Sequence, residues 1–261
     1  MNSLRPRVIP CLQVAGGELV KTRRFKDPLY LGDPINAVKI FNDLDCDELI
    51  VVDIRATLDG REPDYPLIEE FASEAFMPLG YGGGINSVEQ IRRILTIGIE
   101  KVVISTAAAD GELISAAAAI FGSQSIVVSV DVRKTLLGRR EVWTRSGTRS
   151  SGMDPRTYSA RMQEFGAGEL FVQSIDLEGS RSGYDIALMQ EISAAVKIPV
   201  IACGGAGSLE DIKLLMRSSS IAAAAAGTMF VLHGKHKAPL ISYPRPNEIA
   251  ALRDRPIEMV P

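Results

Sequence analysis

The chain has 261 residues, 46% of them hydrophobic, enough to bury a large core and a common length for one α/β barrel. Its net charge is −3 with both signs dispersed, which gives no electrostatic case for a nucleic-acid partner. Three cysteines, Cys11, Cys46 and Cys203, form no CxxC pair, residues 1–10 lack the apolar core of a secretory signal, and the apolar run at 221–229 is too short to span a bilayer. The expectation is a cytoplasmic protein without disulfides or membrane contact.

Short β-branched runs alternate with helical patterns, the signature of βαβ units and a parallel sheet. Strands are predicted near 7–14, 48–54, 77–82, 100–105, 125–132, 168–175, 198–203 and 219–226. Helices are predicted near 34–46, 63–75, 86–97, 110–121, 154–166, 183–196 and 207–217, with a short last one from Thr228. Asp33, Asn86, Asp154 and Ser208 stand where an N-cap side chain would accept from free N–H groups. Two stretches break the rhythm. Residues 15–33, with Gly16, Gly17 and Lys21, read as a long loop after the first strand, and 133–153, with Trp143 and Gly147, as a small hairpin after the fifth. Both would stand at C-terminal strand ends, where barrel active sites sit, as lids or as plain surface excursions.

The halves of the chain repeat. MPLGYGGG at 77–84 aligns with IPVIACGG at 198–205, RVIPCLQV at 7–14 with SIVVSVDV at 125–132, and Ser105-Thr106 with Ala226-Gly227. Four strands per half cannot bury both faces of their own sheet. The repeat therefore favours closure into one (β/α)8 TIM barrel spanning 1–261, over a doubly wound open sheet.

Glycines just after a strand let backbone N–H groups approach a phosphate. Gly84 with Thr106, and Gly205 with Gly227, would make two such sites on opposite sides of one mouth, suiting a substrate with a phosphate at each end. One cluster alone would be a tight turn. Asp131 ends the fifth strand and could act as a general acid or base, or merely organise its loop. Its counterpart in the other half is Gln13, whose amide cannot exchange a proton near neutral pH, so two-carboxylate chemistry is excluded. Arg7, Glu48, Lys101 and Glu169 begin four strands; they are solvated strand-end charges or, if they point inward, a salt-bridged ring closing the barrel floor. Asp176 and Ser180 flank Gly179 and could contact substrate or form an Asx turn. Asp53 reads as a loop organiser. His233 and His236 alone do not make a zinc site, and no motif calls for a metal or cofactor.

The segments RVIPCLQV, DELIVVDI, GGGI, FGSQSIVVSVDV, SIDLEGSRSGYD and IACGGAGSLED together resemble the cyclase subunit of imidazole glycerol phosphate synthase over roughly residues 5–232. The resemblance implies a half-barrel-duplicated fold. It also implies a glutaminase partner at the N-terminal face, whose ammonia crosses the barrel to a doubly phosphorylated ribose–imidazole carboxamide. By position it implies an acid/base pair at Gln13 and Asp131, with aspartate expected at both. Phosphate contacts would fall at Gly84, Ser105 and Thr106 on one side and Gly179, Gly205, Ala226 and Gly227 on the other. Ser105 replaces an expected asparagine and Gly227 an expected serine. Lys21 would be a mobile-loop lysine, and Arg7, Glu48, Lys101 and Glu169 the ammonia gate. FKDPLYLGDPINAVKIFN, REPDYPLIEEFASEAFMPLGYGGGI and MFVLHGKHKAPLISYP resemble the glycosyl amidation-associated branch, which is linked to acetamidino sugars of bacterial surface polysaccharide. That likeness implies ammonia delivery to a separate sugar amidotransferase. Three functions follow as expectations: an ammonia-conducting subunit, a histidine-pathway cyclase, or a scaffold with relic phosphate loops.

Overall fold

The computed structural model describes residues 7–234 and 238–253. Eight parallel strands close into a barrel in the order β1 (Arg7–Ala15), β4 (Leu49–Asp53), β5 (Leu79–Gly82), β6 (Lys101–Ile104), β7 (Ile126–Lys134), β10 (Glu169–Ser174), β11 (Val200–Cys203) and β12 (Ala223–Ala226). β12 pairs back onto β1, Arg7 opposite Ala223, and β7 pairs with β10, Asp131 opposite Gln173. The expected (β/α)8 fold is therefore the observed one. Successive strand residues face opposite ways. Val8, Leu12 and Val14 join the layer between sheet and helices, whereas Ile9 and Cys11 join Ile50, Val103, Val127, Phe171, Ile201, Cys203, Ala223 and Ala225 inside the barrel. The three cysteines are free and buried.

The main helices between barrel strands are α1 (Pro34–Asp43), α3 (Tyr65–Glu74), α4 (Val88–Ile97), α5 (Glu112–Phe121), α6 (Pro155–Glu164), α7 (Ile186–Ala195) and α8 (Leu209–Ser218). Short turns of helix, α2 (Ala56–Asp59) and α9 (Thr228–Val231), follow β4 and β12. Asp33 and Asp154 cap α1 and α6, and Ser208 caps α8 in a reciprocal box with Asp211. Asn86 is not a cap: Ser87 accepts from the Gln90 N–H, and the Asn86 N–H itself donates to the Gln90 side chain at 2.8 Å. None of the helices among the described residues is long and apolar enough to cross a membrane.

Residues 15–33 are not a loop. β1 turns at Gly16-Gly17 and returns as β2 (Glu18–Arg23), which turns at Arg24-Phe25 into β3 (Lys26–Gly32), an antiparallel ribbon. Both central residues of each tight turn have positive φ, the geometry that matches strand twist. Glycines make the first turn cheap, but Arg24 and Phe25 hold left-handed backbone that bulky residues seldom adopt. The second excursion is the expected hairpin, with β7 pairing β8 (Arg140–Thr144) and β8 pairing β9 (Arg149–Ser150). The two meet over the mouth: a Cβ on Gly147 would stand 2.8 Å from the Phe25 ring, and Ser146 donates to the Ile54 carbonyl.

Candidate functional site

At the N-terminal end of the strands the four rim charges point at one another. Arg7 bonds both Glu48 and Glu169, and Lys101 reaches the same carboxylates at 2.8 and 3.0 Å, completing an alternating ring. The carboxylates are nearly buried, while Arg7 and Lys101 keep 26% and 19% of their side chains exposed. Burial works against the Arg7 charge, but Glu169 and Glu48 outweigh it and raise the guanidinium's hold on its proton. Above the ring lies the apolar interior layer.

At the opposite end a cavity of about 450 Å³ opens over the first half. Its wall includes Gly82, Gly83 and Gly84 after β5, Ser105 and Thr106 after β6, Asp131 on β7, and Phe25 and Lys26 from the ribbon. Asp131 is buried beneath it, accepting from Ser129 at 2.9 Å and from Ser105 at 3.2 Å. Burial pushes its carboxyl up to about 6, more than the two hydroxyls pull it down. Thr106 accepts from the Arg145 N–H at 2.9 Å, leaving its hydroxyl hydrogen free to donate.

Over the second half the corresponding space is only about 20 Å³, bordered by Gly179, Gly205, Ala226 and Gly227. The predicted phosphate residues thus divide into an open set and a closed set. What closes the second set is Lys21. It sits on β2 with its side chain turned inward and only 6% exposed, and its ammonium is ion-paired to Glu178. Lys21 was expected in a loop and instead lies on β2, opposite Leu29 of β3. Burial pulls the Lys21 ammonium down toward about 8, and the Cys11 and Cys203 sulfurs nearby oppose the fall. Gln13 is drawn into the same network: its carbonyl oxygen accepts from the Thr22 N–H at 2.8 Å and from the Thr22 hydroxyl at 3.0 Å, and its amide donates to Glu178 at 3.4 Å. Cys11 and Cys203 share a thiol hydrogen bond beside them.

Asp176 borders neither space. Its carboxylate accepts from the Lys134 N–H at 2.8 Å and ties down the hairpin. The acid that enters the site is Glu178, two residues on, which sequence reasoning missed; nothing in SIDLEGS marks which carboxylate the ribbon will cover. Gln173, which borders both spaces, was missed as well. Ser180 hydrogen-bonds Ser182. Asp53 accepts from the N–H groups of Arg55 and Ala56 and pairs with Arg61, organising its loop. His233 is exposed, and His236 lies outside the described residues. The glycines have a packing reason of their own: a Cβ on Gly83 would lie 2.5 Å from the Asp53 carbonyl, and one on Gly204 2.6 Å from the Ser174 carbonyl.

An ion-paired floor, an apolar interior and a polar, glycine-rimmed cavity above Asp131 define a (β/α)8 barrel with a repeated half and a candidate site at its C-terminal end. The chain belongs to the histidine biosynthesis protein family, whose sequence model matches residues 7–237. It is 49% identical over 247 residues, 94% of this chain and 98% of the relative, to a Pseudomonas aeruginosa protein provisionally named imidazole glycerol phosphate synthase subunit hisF2. A Leptospira interrogans protein provisionally named imidazole glycerol phosphate synthase subunit HisF is 46% identical over 251 residues, 95% of this chain and 99% of its own. A Vibrio vulnificus relative, provisionally named subunit hisF3 of the same synthase, is 47% identical over 247 residues, 94% and 95% of the two chains.

Proposed function

We propose that the chain is the barrel subunit of an ammonia-using pair. A glutaminase docks on the N-terminal face, the charged ring gates ammonia into the barrel, and a phosphorylated small molecule occupies the C-terminal cavity. The observation that carries this reading is the closed ring of Arg7, Glu48, Lys101 and Glu169 at the end opposite the cavity. Desolvating four charges costs more than apolar residues of similar size would, so their presence calls for a task other than stability. The synthase names of the relatives point the same way.

Within this reading the ammonia serves amidation of a sugar for surface polysaccharide, by way of a separate sugar amidotransferase, rather than imidazole formation. Gln13 supports that choice, since its amide carries no exchangeable acid proton and is held by Thr22 and Glu178. A second reading, the histidine-pathway cyclase, is favoured by Asp131: a carboxyl pushed up to about 6 beside the cavity suits proton transfer near neutral pH. Purified with its glutaminase, the chain is expected to stimulate glutamine hydrolysis without forming imidazole glycerol phosphate and to leave a histidine auxotroph unrescued. Efficient turnover to that product would replace the first reading by the second.

A further inference from the structure

We infer that the C-terminal mouth takes a sugar phosphate bearing a single phosphate, because the chain's own Lys21–Glu178 pair occupies the place where a second phosphate would sit. The inference rests on the proposed phosphate role of Gly84, Ser105 and Thr106.

The two halves present related glycine loops but unequal room, about 450 Å³ against about 20 Å³. The smaller figure is the space of one water and not of a phosphate group. A water there suits Thr228, whose buried hydroxyl borders the space and has no hydrogen-bond partner among the described residues. Lys21 lies across Gly227: a Cβ built there would be 3.1 Å from the lysine Cε and 3.5 Å from its Cδ. Gly179 is pinned from above, since a Cβ there would be 2.8 Å from the Thr22 carbonyl. Glu178 adds a charge argument. Its carboxylate is 2% exposed and is held by Lys21, by Gln13 and by the Phe25 N–H at 3.2 Å. A phosphate entering here would meet a fixed negative charge and would have to compete for Lys21.

The first half has no such plug. Position 57, which falls 121 residues before Glu178, is a neutral threonine on the cavity wall, and Thr106 stands where the second half has Gly227. The ionisable groups facing the open cavity are of both signs: Lys26 and Arg55 against Asp27, Asp53 and Asp131, with Asp53 engaged by Arg61. One dianion can be accommodated beside Thr106. A second has no prepared place.

The test is calorimetric titration of the full chain with inorganic phosphate, fructose 6-phosphate and fructose 1,6-bisphosphate. One phosphate per chain is expected, with the two sugars binding within about threefold of each other. Two phosphates per chain, or a bisphosphate at least tenfold tighter than the monophosphate, would overturn the inference. Glu178→Ala should open the second space, free Lys21, and make the bisphosphate about tenfold tighter relative to the monophosphate; an unaltered ratio in the folded variant would sink the plug. If that variant does not fold, the wild-type stoichiometry still decides. Failure of all three ligands to bind, or binding that Thr106→Val leaves unchanged, would instead remove the phosphate reading itself.

Discussion

At the scale of single residues, the site is governed by how two carboxylates are buried. Asp131 keeps its proton more tightly in the folded chain, up to about 6 from an ordinary 3.8, because burial penalises the ionised form. The native state therefore binds more protons than the unfolded one between those values. Stability is greatest below the unfolded value and falls as pH rises through the folded one, by roughly 3 kcal/mol at neutral pH. Asp131→Asn is expected to raise stability by about 2–3 kcal/mol at pH 7 and by almost nothing near pH 4, read from urea unfolding at each pH. Any proton transfer at the cavity would be lost with it. Glu178 is the opposite case, a buried carboxylate with a cation against it. Lys21→Met strands that charge and should cost about 3–5 kcal/mol, whereas Lys21→Met with Glu178→Gln should recover more than half, since no uncompensated ion remains. Equal losses in the single and double variants would mean that the pair is solvated rather than sealed.

Among the secondary elements, the ribbon and the hairpin decide what the barrel mouth can hold. The hairpin was legible in the sequence, the ribbon was not. Residues 15–33 carry Gly16 and Gly17, which mark one turn, but the other turn is Arg24-Phe25, where no glycine, asparagine or proline announces a positive φ. Without that signal the stretch reads as polar loop. Helix caps show the same limit on a smaller scale: Ser87 and Asn86 are equally good capping types, and only backbone geometry chooses between neighbours. Ser208→Ala should cost about 1 kcal/mol because it breaks a reciprocal box, and Asn86→Ala less than about 0.5 kcal/mol, both measurable by thermal unfolding. Gly147→Ala, at φ 71 with its new methyl against Phe25, is expected to destabilise by about 1–2 kcal/mol and to loosen protection of the ribbon amides in hydrogen exchange.

For the whole molecule, the barrel separates two ends with different chemistry. The ring spans strands that are far apart in sequence, and each cation bridges both carboxylates, so one substitution leaves a partial ring. Lys101→Met is expected to keep the fold, because Arg7 still bonds Glu48 and Glu169, and to leave sugar-phosphate affinity unchanged. With a glutaminase bound, it should release more ammonia to solution per glutamine hydrolysed, followed by a coupled ammonia assay. Unchanged leakage would count against a gate.

The alternation of β-branched runs with helical patterns and the repeat of the glycine loops determined the closed barrel from sequence alone, because four strands have no way to cover their own two faces. The same letters placed Asp131 at the mouth and the four charges at strand starts, since a strand's period of two and its direction are local properties. Only the tertiary structure decided that the charges form a ring, that Asp176 bonds the Lys134 N–H while Glu178 borders the second space, and that one half of the mouth is shut. Each of those outcomes depends on which side chain another segment covers. Burial by a neighbouring ribbon is a property of the assembled chain, and no spacing along it records that contact.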